Sequence, residues 1–219
     1  MKRGAAHARD VGQVGDRERL GESVFEQLDT GRSEDFADFA SQVDKILRGW
    51  GRETLDFLIN NAGVGLHQSI ADTTEEAFDR LVDIHFKGVF FLTQHLLARI
   101  ADGGRILNLS TGLARFTLPG YAAYASMKGA VEVFTRYLAQ ELRPRGIAVN
   151  AIAPGAIETD FGGGVVRDDP AINQFIAGTT AMGRAGLPDD IGGAVASLLV
   201  GDTHWMTGQR LEISGGQHL

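Results

Sequence analysis

Tyr124 and Lys128 stand four residues apart in GYAAYASMKGAVEVFTRYLAQEL, residues 120–142. On a helix that spacing puts both side chains on one face. A free phenol ionises at about pH 10, too high for proton exchange at neutral pH. An ammonium one turn away favours the phenolate, and such a couple can work as a general acid and base. Chance also produces this spacing in amphipathic helices, where the tyrosine packs in the core and the lysine is solvated. The rest of the chain must decide between the two. Tyr121 is the rival phenol, but Ala125 rather than a lysine follows it by four, which assigns it to helix entry or a pocket wall.

Short apolar runs alternate with helical periods along the chain. Strands are predicted at SVFEQL (23–28), LDFLIN (55–60), GRILNLS (104–110), GIAVNAIAPG (146–155) and RLEIS (210–214). Helices are predicted near 33–48, over 74–100 and over 120–142, with a further one opening at Pro188. Strand and helix in alternation, with short joints, define an α/β fold with a doubly wound parallel sheet, Rossmann-like, in one domain over 1–219. Such sheets bind ligands beyond the carboxyl ends of their strands. Asp29, Asn60, Ser110 and Pro154 all fall at those ends, on one rim.

Composition narrows the chemistry. The 219 residues carry a net charge of -7, which argues against a nucleic-acid surface. There is no cysteine, so disulfides, thiol nucleophiles and zinc–thiolate sites are excluded. The six histidines show no metal-ligand spacing, so no metal site is expected. The start MKRGAAHARDVGQVG lacks the apolar core of a signal peptide, and no apolar run reaches the ~20 residues a membrane span needs. A soluble cytoplasmic protein is the expectation. No Gly-x-Ser-x-Gly elbow supports a serine hydrolase.

NNAG (60–63), NLST at the end of the third predicted strand, Tyr124-x-x-x-Lys128 and PGAIET (154–159) occur in the order and spacing of the short-chain dehydrogenase/reductase family, which the chain resembles from about Asp29 to its final SGG. The resemblance implies NAD- or NADP-dependent hydride transfer between the nicotinamide and a carbonyl or secondary alcohol. Tyr124 would be the general acid/base, with Lys128 assisting it and holding the nicotinamide ribose. The turn of Asn60, Ala62 and Gly63 would lie against the cofactor's ribose. Pro154, Gly155, Ile157 and Thr159 would meet the nicotinamide carboxamide. Asp29 matches an acidic residue that contacts adenine in relatives, or is simply a carboxylate in a helix's first turn. A homo-tetramer or homo-dimer is also implied, its surfaces built from the late helices and last strand.

Two positions depart from the family pattern. Spacing from Tyr124 lands on Thr111 where serine is usual, so Thr111 is taken as the hydroxyl that holds the substrate oxygen. Ser110 could substitute for it, or could only satisfy backbone. His85 stands where asparagine is usual, on the stripe Phe78, Leu81, Val82, His85, Val89, Leu92. It either joins a proton relay toward Lys128 or is a core histidine bonded to a backbone carbonyl. Three glycines, 162–164, open a segment that predicts a lid over the substrate across 160–186. Phe161, Val165, Phe175 and Ile176, with Leu113 and Phe116, would line a pocket for a mostly apolar substrate.

The family's glycine-rich TGxxxGxG turn is not found. VGQVGDRERLG has glycines at 12, 15 and 21, at other spacings and with no strand before them. The residues ahead of Ser23 are too few for the strand, turn, helix and strand that usually come first. The expectation is a truncated sheet with LDFLIN as an edge, and an atypical, poorly ordered segment over 1–22. A cofactor-free pseudoenzyme that keeps the family's binding or oligomer surface is the alternative function.

Overall fold

The computed structural model describes residues 24–219. The first residue of the SVFEQL run and the segment 1–22 therefore lie outside the described residues. Four parallel strands form the sheet in the order β1 (Leu55–Asn60), β2 (Ile100–Leu109), β3 (Ala148–Pro154) and β4 (Arg210–Ile213). Leu58, Ile106 and Val149 lie in one row across β1, β2 and β3. Strand alternation then sends Leu58, Asn60, Ile106, Asn108 and Val149 to one face, and Phe57, Ile59 and Leu107 to the other.

The first face is closed by α1 (Phe36–Gly49), α3 (Gly88–Leu96) and α4 (Ala122–Glu141). Phe36, Val43, Leu47, Leu55, Leu92 and Leu96 make one core under α1 and α3. Ile106, Leu138, Leu142, Ile147 and Val149 make a second under α4, and Leu58 touches both. On the other face α7 (Pro188–Val200) is tied to β2 through Arg105, whose guanidinium donates to the carbonyls of Leu198 and Gly201. Phe57 and Ile59 on that face stay 38% and 41% exposed. β1 is an edge strand among the described residues, as the sequence predicts.

The SVFEQL prediction is corrected. Residues 24–29 form no strand; Leu28 alone is driven into the core beside Phe36 and Leu55, while Phe25 is 67% exposed. A strand exists only by pairing, and this run enters the core at one residue before the chain turns at Asp29. The long helix over 74–100 is also corrected, into pieces. Thr74 caps α2 (Glu75–Val82), its hydroxyl accepting from Ala77 N–H at 3.2 Å. A π-turn over Asp83–Lys87 follows, then α3, then a 3₁₀ turn over Leu97–Arg99. A π-turn adds one residue to the helical ladder and often marks a functional position. Here it carries His85 into the core.

Gly88 follows at once, and a Cβ there would lie 2.3 Å from the Thr30 carbonyl oxygen. Only glycine lets α3 approach that backbone. Gly88→Ala should cost about 1–3 kcal/mol in urea unfolding. Gly49→Ala, where a Cβ meets nothing within 4 Å, should be neutral or stabilising in the same assay. Equal effects at the two sites would contradict this packing.

Candidate active site

The carboxyl ends of β1, β2 and β3 open onto a rim where α4 delivers Tyr124 and Lys128. Tyr124 is 7% exposed and Lys128 3%. Both face the sheet one turn apart on α4. Lys128 Nζ donates to the carbonyl of Leu109, the last residue of β2, at 2.8 Å, and stands 5.9 Å from the Tyr124 ring centre. The Thr111 side chain stands close enough to Tyr124 to lower the phenol's pKa. Thr111 also caps the short 3₁₀ turn at Gly112–Ala114, its Oγ1 accepting from Leu113 N–H at 3.3 Å.

Burial dominates the proton chemistry of the pair. It pushes the Tyr124 phenol up to about 12; the Thr111 side chain works against that rise and the neighbouring Tyr121 adds to it. Burial likewise pulls the Lys128 ammonium down to about 8. The sequence expectation of a phenol lowered by its lysine is not met in this arrangement. The ammonium is committed to the Leu109 carbonyl, and loss of hydration outweighs its field at the phenol.

Ser110 is turned elsewhere. Its hydroxyl donates to Glu132 on α4, while its N–H donates to Ile152 O at 2.7 Å. Of the two hydroxyls at the end of β2, Thr111 is the one beside Tyr124.

His85 is fully buried and packs edge-to-face on Tyr124, ring centres 5.1 Å apart at 86°. Its Nε2 lies 2.8 Å from the Val64 carbonyl and 3.2 Å from the Val64 N–H. Its Nδ1 is buried without a hydrogen-bond partner. A Cβ on Gly63 would lie 3.0 Å from the ring's Cε1, so the NAGV turn is seated on the histidine. Burial first, and the Lys128 charge second, hold its pKa down to about 3, so the ring is neutral.

The remaining predicted residues divide. The Asn60 amide is spent inside the protein, on Thr93 Oγ1 at 3.0 Å and Asn108 Oδ1 at 2.8 Å. Ala62 and Gly63 follow at the rim and are partly exposed. Asp29 shapes its own turn, Oδ1 accepting from Gly31 N–H at 2.9 Å. Pro154 ends β3, and Gly155 N–H donates to Ile213 O at 3.0 Å. Ile157 forms an isolated bridge with Gly186, and Thr159 Oγ1 accepts from Phe161 N–H at 3.2 Å.

Within 160–186, Gly162, Gly163 and Gly164 all take left-handed φ, between 63° and 81°. They lead into the short α5 (Val165–Asp168) and then α6 (Pro170–Thr179). The Phe161 ring comes 6.0 Å from Tyr124, and Ile176 is buried, whereas Phe175 is 54% exposed. On the facing side Phe116 lies under Gly112 and against His218, ring centres 4.4 Å apart.

Sequence reasoning missed the C-terminal tail. Gln217 is 3% exposed, and its side-chain carbonyl accepts from Ala156 N–H at 3.1 Å, fixing the turn after β3. It also missed the Glu132–Arg210 pair at 2.6 Å. A signal was present: Arg210 and Glu212 alternate on one face of a short strand, and charges inside a sheet require partners.

The donor set fits the nicotinamide half of a dinucleotide: two hydroxyls and an ammonium converge on a rim between the 60–64 and 154–159 turns. Among the described residues no glycine-rich turn opens a helix for the pyrophosphate.

A parallel sheet flanked by helices, with Tyr124, Lys128 and Thr111 buried together at the carboxyl ends of its strands, has a Rossmann-like architecture. A family profile described as enoyl-(acyl carrier protein) reductase matches residues 6–218, and the chain belongs to this short-chain dehydrogenase/reductase family of NAD(P)-dependent enzymes. A trihydroxynaphthalene reductase of Pestalotiopsis fici is 34% identical over 192 residues, which cover 83% of this chain and 67% of that one. Among solved structures, the promiscuous reductase LugOII of lugdunomycin biosynthesis superposes with a TM-score of 0.84 at 36% identity, covering 92% of this chain and 80% of that one. The angucycline C-6 ketoreductase LanV with bound NADP gives 0.79 at 33% identity, covering 86% and 72%.

The buried neutral His85 makes stability depend on pH. The unfolded histidine takes a proton below its ordinary value of 6.5, the folded one only near 3. Between those values the unfolded state binds more protons, so stability should fall as pH drops from 6.5 toward 3. His85→Asn should flatten that slope, read as urea midpoints across the pH series. An unchanged slope would mean that His85 does not titrate this way.

Proposed function

We propose that this protein is an NADPH- or NADH-dependent carbonyl reductase in which Tyr124 is the general acid, Thr111 holds the substrate oxygen and Lys128 supports both the phenol and the nicotinamide ribose. The observation that carries this reading is the buried cluster itself: Tyr124, Lys128 and Thr111 are all buried together, with the Lys128 ammonium 5.9 Å from the Tyr124 ring centre.

When bound, the nicotinamide supplies a hydride to the carbonyl carbon. The chain's own work is to polarise and protonate the oxygen. A carbonyl oxygen lodged between the Thr111 and Tyr124 hydroxyls receives two hydrogen bonds, and these strengthen as negative charge develops on it. Tyr124, protonated at neutral pH because of its burial, then gives up its proton to that oxygen. The resulting phenolate faces Lys128, whose ammonium stabilises it and can replenish the proton. His85 Nδ1, buried with no protein partner, supports a relay role through bound water, while Nε2 holds the Val64 backbone. Ala62, Gly63, Pro154, Gly155, Ile157 and Thr159 would hold the nicotinamide nucleotide, with Asp29 toward the adenine.

Phe161, Phe116, Leu113 and Ile176 favour a flat, apolar ketone. The hydroxynaphthalene reductase relative, and a LanV structure with NADP and rabelomycin, point to aromatic polycyclic ketones. NADP in both LanV structures favours NADPH over NADH. The 160–186 segment acts as the lid, bending at its three left-handed glycines. The aromatic face of α3 and α4, where Phe90 packs on Phe91 and Phe134 and Tyr137 is 67% exposed, supports a homo-oligomer. The alternative reading is a cofactor-free pseudoenzyme that keeps the family's binding or oligomer surface.

Titrating NADPH into the purified chain and following its fluorescence separates the two readings. Saturable binding in the micromolar range supports the reductase, and no binding by a folded chain supports the pseudoenzyme. Tyr124→Phe should abolish turnover with little change in NADPH affinity. A variant that loses affinity but keeps its kcat would contradict the role given to Tyr124.

A further inference from the structure

Arg210, the first residue of β4, lies on the α4 side of the sheet and sends its guanidinium three ways. Nε donates to Glu132 Oε1 at 2.6 Å, one terminal nitrogen to Glu212 Oε2 at 2.9 Å, and the other to the carbonyl of Thr111 at 3.0 Å. Glu132 lies one turn beyond Lys128 on α4 and also receives the Ser110 hydroxyl. The Ser110–Thr111 corner is thus gripped at the Ser110 side chain, at the Ser110 N–H by Ile152, and at the Thr111 carbonyl.

We infer that Arg210 is a positioning residue, holding the Thr111 hydroxyl at Tyr124 by anchoring the backbone corner from which it projects. The inference rests on the proposed role of Thr111.

Three features separate this arrangement from an ordinary surface ion pair. The Arg210, Glu132 and Glu212 side chains are only 22%, 15% and 20% exposed, so solvent screens them little. The planar fork of arginine reaches three acceptors spread around one plane, a geometry that the compact ammonium of lysine does not match. The far carboxylate is itself fixed: Arg115 grips Glu212 with two nitrogens, each at 2.7 Å, and Ser214 Oγ donates to it at 3.0 Å. Arg115 also reaches the carbonyls of Gln217 and His218, at 2.8 and 3.1 Å. The brace therefore runs from α4 through β4 to the loop carrying Phe116 and to the C-terminal tail. With both its backbone neighbours held, Thr111 keeps only its χ1 rotation, and the Leu113 N–H restrains that. No atom of Arg210 is placed at the reacting carbonyl, so it acts through Thr111.

The groups facing Tyr124 are Thr111 from the β2–α4 loop, Tyr121 and Lys128 from the α4 segment, His85 from the π-turn and Phe161 from the lid. Of these groups only Thr111 is touched by Arg210 itself. The test compares the full wild-type chain with Arg210→Met, Arg210→Lys and the double variant Arg210→Met/Glu132→Gln. The double variant removes the brace without leaving the Glu132 charge unpaired, and thus guards against simple misfolding. Each is assayed with NADPH and 1-tetralone, and in reverse with NADP and 1-tetralol across pH.

Loosening Thr111 should lower kcat on the order of tenfold to a hundredfold with KM for NADPH unchanged. It should also move the rising limb of alcohol oxidation, where Tyr124 must lose its proton to act as base, to higher pH, because Tyr124 loses the Thr111 interaction that opposes its rise. Arg210→Lys, which can satisfy part of the set, should recover part of kcat. Folded variants with wild-type kcat and an unmoved pH limb would overturn the inference alone. A folded wild-type chain that neither binds NADPH nor turns over would overturn the reductase reading, and this inference with it.

Discussion

A chain of buried amides and hydroxyls holds the rim together. Asn60 ends β1 and Asn108 lies beside it in the same row of β2, both pointing to the helical face. The amide of Asn60 donates to Asn108 and to Thr93 on α3; Asn108 donates to Thr135 on α4; Thr135 donates on to the Val131 carbonyl. Asn108, Thr93 and Thr135 are at most 1% exposed, so each needs the next to be buried at all. Two helices and two strands are thereby fixed one row below the place where chemistry would occur. Lys128, two turns before Thr135 on α4, can then meet the end of β2 with its charge directed at a single carbonyl.

Above that row the balance changes from polar satisfaction to burial. Tyr124, Lys128 and His85 lie within one shell, and each is pushed toward its neutral form. At neutral pH Tyr124 and His85 are neutral, while Lys128, at about 8, keeps most of its charge. A proton leaving Tyr124 is therefore matched by an ammonium already in place. The phenol resists ionisation at rest and has its counter-charge beside it when ionisation occurs.

Legibility in the sequence followed how local each signal was. LDFLIN and the stretch around Tyr124 carried their own periodicity, and both elements form close to where it placed them. The 74–100 stripe was sound in its apolar spacing but silent about the π-turn, because an added residue in a helix leaves no composition mark. SVFEQL is a short apolar run of strand length, yet such a run says nothing about whether a partner strand is present. At the site, the choice of Thr111 over Ser110 came from spacing along the chain, and the geometry puts Thr111 beside Tyr124 and Ser110 on Glu132. Asn60 was legible as a strand-end residue, but its particular partners, Thr93 and Asn108, were not. The Arg210 brace joins residues 78 positions apart in sequence, and only tertiary contact reveals it.

The outer edge of β1 has a consequence of another kind. Its peptide groups face no strand among the described residues, and Phe57 and Ile59 beside them are partly exposed. Such an edge accepts any extended chain that reaches it, its own copies included. The charge on this strand is Asp56, and Arg52 already neutralises it at 2.6 Å. Among the described residues the strand that opens onto the active-site rim is thus also the one whose outer edge is free to pair, so association along β1 would be felt at the 60–64 turn.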